Sequence, residues 1–109
     1  MSDDQNPILV VDDNEMNRDM LSRRLARMGY TVDVAENGQQ ALDKVRTETF
    51  DLVLLDIMMP DVSGYEVLEQ LKAEDAYQDL PIIMISAVDD LDSVVRCIEL
   101  GAEDYLFKP

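Results

Sequence analysis

The chain alternates between two kinds of apolar segment. The first kind is short and apolar at almost every position, as at residues 8–11, 52–55 and 82–85. Such runs predict strands of a parallel sheet that is covered on both faces, because these strands have no polar side. The alternating run 31–34 predicts an edge strand. The five predicted strands lie near residues 7–12, 31–35, 52–56, 82–86 and 104–107.

The second kind of segment is longer, and its apolar residues recur at helical spacing. Four such stripes lie between the strands and predict four helices that pack on the sheet. They consist of Met16, Met20, Leu21, Leu25 and Met28; Ala41, Leu42 and Val45; Val67, Leu68 and Leu71; and Leu91, Val94, Val95 and Ile98. We interpret the stripe residues, methionines included, as core residues. Gly29 and Gly101 follow the first and fourth helices, where a left-handed cap is expected, and Ser63 with Glu66 predicts a capping box before the third.

The predicted order of elements is therefore βαβαβαβαβ, with five strands and four helices. Strands that alternate with helices predict right-handed crossovers and a doubly wound five-stranded parallel sheet of the α/β class. The length of 109 residues fits one domain. Because five strands have only four helices between them, we expect a closing fifth helix beyond Pro109, in a longer protein, or else a partner that covers the exposed strip. Residues 1–6 are expected to form a flexible tail.

Composition narrows the function classes. The chain has 24 acidic and 9 basic residues and a formal net charge of −15, which argues against free nucleic acid as a direct partner. Four of the basic residues are on the first helix, and we interpret them as a solvated face, with docking to an acidic partner as the alternative: Arg18, Arg23, Arg24 and Arg27. The absence of His excludes a Ser-His-Asp triad, a His-ligated zinc site and a phosphohistidine on this chain.

A cytoplasmic location is the expectation from the remaining features. No run reaches the roughly 20 apolar residues of a membrane span, and the acidic N-terminus does not resemble a signal peptide. The single cysteine, Cys97, cannot form an intramolecular disulfide and is interpreted as a small packing residue.

Polar residues stand at the carboxyl ends of four predicted strands. Asp12 and Asp13 follow the first strand and Asp56 ends the third; Ser86 with Ala87 ends the fourth, and Lys108 follows the fifth. Each residue alone is usually a turn former, a cap or a solvated group. Ligands of open α/β sheets, however, bind beyond the carboxyl ends of the strands, so these residues are predicted to meet.

Three carboxylates in one crevice repel each other and favour a bound divalent cation, for which Mg²⁺ is the abundant candidate. A metal beside a hydroxyl and a lysine suits phosphoryl transfer, with a carboxylate as the nucleophile. The local pattern does not identify the nucleophile. The position of Asp56 on the most apolar, hence most central, strand favours it, with Asp12 and Asp13 as metal ligands.

At this point the residues resemble a known family over essentially the whole chain, the response-regulator receiver domains of two-component signalling. The resemblance is carried by Ile8-Leu9-Val10-Val11-Asp12-Asp13, Ala35-Glu36-Asn37-Gly38-Gln39-Gln40-Ala41-Leu42, the stretch from Asp51 to Glu66 that contains Asp56, Pro81-Ile82-Ile83-Met84-Ile85-Ser86-Ala87 and the stretch from Gly101 to Pro109. It implies a flavodoxin-like sheet of strand order 2-1-3-4-5.

The resemblance also implies a role for each site residue. Asp56 is the expected phosphoacceptor. Asp13 and Asp56 are expected to ligate Mg²⁺, with Asp12 acting through a metal-bound water and Met58 through its backbone carbonyl. Met58 and Val88 are apolar at positions that modulate dephosphorylation in this family, which implies a long-lived phosphoryl group.

The switch residues follow from the same resemblance. Ser86, beside Ala87, and Lys108 are expected to contact the phosphoryl group. Tyr105 is the expected switch aromatic, and the Lys108–Pro109 bond is expected to be cis.

The implied function is a switch rather than a turnover enzyme. A sensor histidine kinase or phosphotransfer protein would phosphorylate Asp56, and the face formed by the fourth helix and fifth strand would act on an output domain, expected C-terminal in the full-length protein, or on a partner. The sequence does not decide whether the domain forms a homodimer.

Three alternative functions remain. They are a phosphate-independent interaction domain of the same fold, a Mg²⁺-dependent phosphatase and a flavodoxin-like electron carrier. A phosphatase of this kind would have an acidic residue two positions after its nucleophile, where this chain has Met58. An electron carrier would need hydroxyls and amides to bind the flavin phosphate, where this chain has the acidic residues Asp12 and Asp13.

Overall fold

The computed structural model describes residues 6–87 and 91–107, which form a single parallel sheet with helices on both faces. The strands are β1 (Ile8–Val11), β2 (Val32–Ala35), β3 (Leu52–Asp56), β4 (Ile82–Ser86) and β5 (Asp104–Phe107). The helices are α1 (Glu15–Arg27), α2 (Gly38–Thr47), α3 (Gly64–Ala73) and α4 (Leu91–Glu99), with a short 3-10 turn at Asp75–Tyr77. The strand order is β2-β1-β3-β4-β5, which confirms the predicted fold class and the edge position of β2.

The two faces of the sheet have separate apolar clusters. The larger one is formed by α2, α3 and α4 packing on the sheet, around fully buried residues such as Leu55, Leu68 and Met84. The smaller one lies under α1, whose Leu21 and Leu25 contact it. No helix of the described residues is long and apolar enough to cross a membrane. The fifth helix expected beyond Pro109 stays a prediction.

The helix ends follow the local sequence signals. The side chains of Asn14, Asn37 and Ser63 accept hydrogen bonds from the backbone N–H groups of the first turns of α1, α2 and α3. Gly29 and Gly101 have φ angles of +96° and +108°, so both glycines adopt the predicted left-handed conformation after their helices.

The prediction that the methionines of the first helical stripe are core residues is wrong. Leu21 and Leu25 pack on the sheet, whereas Met16, Met20 and Met28 are exposed. At 100° per residue, Met16 and Met20 lie about 140° and 100° round the helix from Leu21, too far to reach a flat sheet. Met28 is the C-cap, where the chain leaves the helix.

The stripe of α4 also needs correction. Val94 contacts the core and Cys97 is completely buried, but Leu91, Val95 and Ile98 are exposed. Val95 and Ile98 lie about 160° and 100° from Cys97 around the helix. The core-facing residue of this turn is therefore the cysteine, and an apolar side of α4 faces outward.

The burial of Cys97 predicts an unreactive thiol. Desolvation raises the pKa of this thiol, and the charge of Arg96 only partly opposes the effect. We expect a chromogenic disulfide reagent at pH 8 to modify the folded protein at least about 100-fold more slowly than the protein unfolded in guanidinium, because the reagent needs an accessible thiolate. Equal rates in the two states would show that Cys97 is accessible. Because the chain has one cysteine, the signal has one source.

Candidate functional site

The register of the sheet brings the predicted site residues together. Val11 of β1 pairs with Leu55 of β3, so Asp12 and Asp56, the next residues along, are neighbours at the carboxyl edge. Asp56 in turn pairs with Ile85 of β4, which places Ser86 one step beyond it. Strand order and register thus deliver these polar groups to one crevice.

The crevice holds three carboxylates in close proximity. One oxygen of each of Asp12, Asp13 and Asp56 lies within 4.8 Å of the others. Asp12 is 1% and Asp56 2% exposed, whereas Asp13 is exposed at the rim. Negative groups at this separation, two of them shielded from water, repel each other unless a cation neutralises them. The donor set, carboxylate oxygens with one side open to water, fits a hard divalent ion such as Mg²⁺.

The loop that carries Asp12 and Asp13 is short and well fixed. It spans three residues between β1 and α1. The backbone N–H of Asp12 donates to the Ala35 carbonyl over 3.2 Å, and its side-chain Oδ1 accepts from the Asn14 N–H over 2.9 Å. The Asn14 side chain accepts from the Asn17 N–H and begins α1. Asp12 is therefore held by main-chain contacts on two sides.

The loop after Asp56 contains a strained turn. Asp61 has a φ of +67°, and the N–H of Val62 donates to the Pro60 carbonyl over 2.8 Å. An i-to-i+2 hydrogen bond across a residue of positive φ is a γ-turn of the rare, strained kind. Met58 lies between this turn and Asp56, and its side chain is exposed. The side chain two residues after Asp56 therefore faces solvent rather than the core.

Gly64 ends the same loop in a very crowded place. Its N–H donates to the Ile57 carbonyl over 2.9 Å. A Cβ at this position would overlap the Asp56 carbonyl oxygen and lie 2.7 Å from the Ile57 Cα. The absence of a side chain at Gly64 lets α3 begin directly against the backbone of Asp56.

The remaining predicted residues are only partly within the described chain. Ser86 is buried and Ala87 is exposed at the end of β4. Tyr105 is buried in the larger core cluster, with its ring 5.3 Å from that of Phe107 in an edge-to-face arrangement. Lys108 and Pro109, with the bond between them, lie outside the described residues, as does Val88.

Arg18 is the site-related residue that the sequence interpretation missed. The sequence predicts a solvated arginine at this position, but the Arg18 side chain is only 12% exposed, donates to the Asp12 carbonyl oxygen and pairs with Glu36. The available signal was its spacing: Arg18 stands one helical turn after Asn14, on the side of α1 that returns toward the loop. Charge alone could not distinguish it from Arg23, which is exposed.

Fold and site together define a flavodoxin-like α/β domain with an acidic crevice at its sheet edge. The family model described as "Response regulator receiver domain" matches residues 8–109. The chain belongs to this family of two-component response-regulator receiver domains.

Several relatives are similar over most of this chain. It is 43% identical over 105 residues to "Probable transcriptional regulator ycf27" of Cyanidium caldarium, covering 96% of this chain and 41% of the relative. It is 43% identical over 102 residues to "Response regulator MprA" of Mycolicibacterium vanbaalenii, covering 94% of this chain and 43% of the relative. The chain therefore spans less than half the length of these relatives.

Solved structures support the same fold. The chemotaxis protein CheY4 of Vibrio cholerae superposes with a TM-score of 0.90 at 30% identity, covering 96% of this chain and 88% of that structure. The N-terminal domain of a response regulator receiver protein from Methanoculleus marisnigri gives a TM-score of 0.87 at 38% identity, covering 95% of this chain and 85% of that domain.

Proposed function

We propose that this domain is a switch that accepts a phosphoryl group on Asp56 in a Mg²⁺-dependent reaction. The observation that carries the proposal is the cluster of three carboxylates within 4.8 Å, in which Asp56 is buried at the end of the central strand β3 and adjoins Ser86 in register. Membership of the receiver family supports the same role.

The residues that would hold the ion are those of the crevice. Asp13 and Asp56 would bind it directly, Asp12 through a water molecule, and Met58 through its backbone carbonyl. When bound, Mg²⁺ would offset the negative charge that the carboxylates and the incoming phosphoryl group bring together.

The proposed step transfers one phosphoryl group between two proteins. A carboxylate oxygen of Asp56 attacks the phosphorus, the P–N bond of a donor phosphohistidine breaks, and its electron pair returns to the imidazole nitrogen. The product is an aspartyl phosphate and a free histidine on the donor. Because this chain has no His, the donor histidine lies outside it, and we assign it to a sensor kinase or a phosphotransfer protein.

The response to the new charge would begin at the neighbouring strand ends. Ser86 and Lys108 would contact the phosphoryl oxygens, and the position of Tyr105, inward in this structure, would depend on that of Ser86. The adjoining face of α4 and β5 carries exposed apolar side chains that suit contact with a protein: Leu91, Val95, Ile98 and Phe107.

The partners and the setting of the domain belong to the same proposal. Relatives named as transcriptional regulators are more than twice as long as this chain, which supports an attached output domain in the full-length protein. We place the domain in the cytoplasm, as a phosphoprotein that undergoes phosphorylation and dephosphorylation without turning over an external substrate.

The test is an intact-mass measurement after incubation with Mg²⁺ and a small acyl phosphate. We expect a gain of one phosphoryl group, and no gain when a chelator removes Mg²⁺. A folded protein that shows no adduct would contradict the proposal and favour a phosphate-independent interaction domain.

Met58 is expected to lengthen the life of the phosphoryl group. Its exposed apolar side chain cannot orient an attacking water by hydrogen bonding. Met58→Asn or Met58→Glu should therefore speed dephosphorylation by about tenfold or more, measured as the decay of the adduct mass with time. Met28→Asn, the same change at an exposed methionine at the far end of α1, is the matched control. An unchanged decay rate in both Met58 variants would contradict this role.

A further inference from the structure

We propose that Arg18 is a positioning residue for the metal crevice, which holds the backbone between Asp12 and Asp13. This inference rests on the proposed function, since it concerns Mg²⁺ binding at the same carboxylates. It assigns to Arg18 a role different from that of the exposed arginines on α1.

The contact lies on the peptide that joins the two acidic residues. The Arg18 Nη1 donates to the Asp12 carbonyl oxygen over 2.8 Å. Because a peptide unit is planar, this carbonyl, the nitrogen of Asp13 and the Asp13 Cα move as one body. Fixing the carbonyl therefore limits the directions in which the Asp13 side chain can point.

Asp13 needs such support more than its neighbour does. Asp12 is buried, and its N–H and side chain bond to Ala35 and Asn14. Asp13 is exposed at the rim, so packing does little to fix its carboxylate. A hydrogen bond from a charged donor is stronger than one between neutral groups, and it therefore suits this task.

Arg18 is itself held from two sides. Its side chain is 12% exposed, and its Nη2 pairs with the Glu36 carboxylate at 3.4 Å. Glu36 is joined to α2 through Gln40, whose Oε1 accepts from the Glu36 N–H over 2.9 Å. The guanidinium thus links the β1–α1 loop to the start of α2.

The sign of the effect separates positioning from simple charge. Arg18 is a cation near the crevice, so Coulomb repulsion alone predicts that its removal strengthens Mg²⁺ binding. Positioning predicts the reverse, because loss of a residue that orients a metal ligand weakens metal affinity, commonly by about 10–100-fold. The two interpretations therefore differ in direction and not only in size.

The experiment is a titration of the protein with Mg²⁺ alone, followed by the amide resonances of the crevice. We expect Arg18→Met, which keeps the apolar stem, to weaken Mg²⁺ binding by about tenfold or more. Arg23→Met is the matched control: it removes the same charge from the same helix, but the Arg23 side chain is 71% exposed and pairs with Asp19 one turn away. It should bind Mg²⁺ as well as the wild type or slightly better. Asp13→Asn gives the reference for a lost ligand.

Two further measurements keep the outcomes distinct. Thermal unfolding without Mg²⁺ reports any general loss of stability, and if Arg18→Met does not fold, Arg18→Lys replaces it, since Lys keeps the charge but not the planar fork. Unchanged or tighter Mg²⁺ binding in the folded Arg18 variant would overturn this inference alone. A wild type with no Mg²⁺-dependent shifts would contradict the proposed function as well.

Discussion

Asp56→Asn is expected to leave the protein folded and to abolish its phosphorylation. The amide has nearly the shape of the carboxylate, so β3 and its contacts should persist. It lacks the negative oxygen that attacks phosphorus, and it removes one of the three charges in the crevice. After incubation with Mg²⁺ and a small acyl phosphate, the variant should show no adduct by intact mass, whereas the wild type gains one phosphoryl group.

Asp61→Asn is the matched control for this change. Asp61 is an exposed acidic residue in the loop after β3, and Asn tolerates its positive φ of +67° as well as Asp does. This variant should be phosphorylated like the wild type. An adduct on Asp56→Asn, at the level of the wild type, would show that another residue is the acceptor.

Gly64→Ala is expected to have the largest effect on stability. The added Cβ would overlap backbone atoms of Asp56 and Ile57, which are buried at the carboxyl end of β3 and cannot move aside cheaply. We expect a loss of about 3 kcal/mol, at the upper end of typical overpacking. For a domain of this size that lowers the Tm by more than about 10 °C, measurable by circular dichroism.

Gly29→Ala separates crowding from backbone strain. Gly29 has a φ of +96° with no atom near an added Cβ, so Ala there costs only about 1–2 kcal/mol of left-handed strain. If Gly64→Ala were as stable as Gly29→Ala, the close approach of α3 to the Asp56 backbone would not be what requires glycine at position 64.

The strands were predictable because their signal is local. The almost continuous apolar runs place β1, β3 and β4 within a residue or two of their observed bounds, and the cap residues mark the helix ends. The exposed side of α4 was not predictable in the same way. Its apolar residues extend around much of the helix, and only tertiary packing selects Val94 and Cys97 over Val95 as the buried side.

Some residues of the site were predictable from local sequence in the same way, and others were not. Asp12, Asp56 and Ser86 stand at the carboxyl ends of parallel strands. The prediction of the strands was therefore sufficient to place these three residues at one edge of the sheet. Gly64 and Arg18 act through contacts with backbone atoms, the first by leaving room and the second by a hydrogen bond. No local pattern distinguishes Gly64 from an ordinary loop glycine, and Arg18 differs in sequence from a surface arginine such as Arg23 only by its position one helical turn after Asn14.

Hydrogen exchange with and without beryllofluoride, in the presence of Mg²⁺, tests the switch most directly. This phosphate mimic should slow exchange around Asp56 and also change it in α4 and β5, which carry the exposed apolar face. Asp56→Asn should show neither change. A wild type that binds beryllofluoride but alters exchange only at the crevice would contradict the claim that the charge state of Asp56 controls the face of α4 and β5.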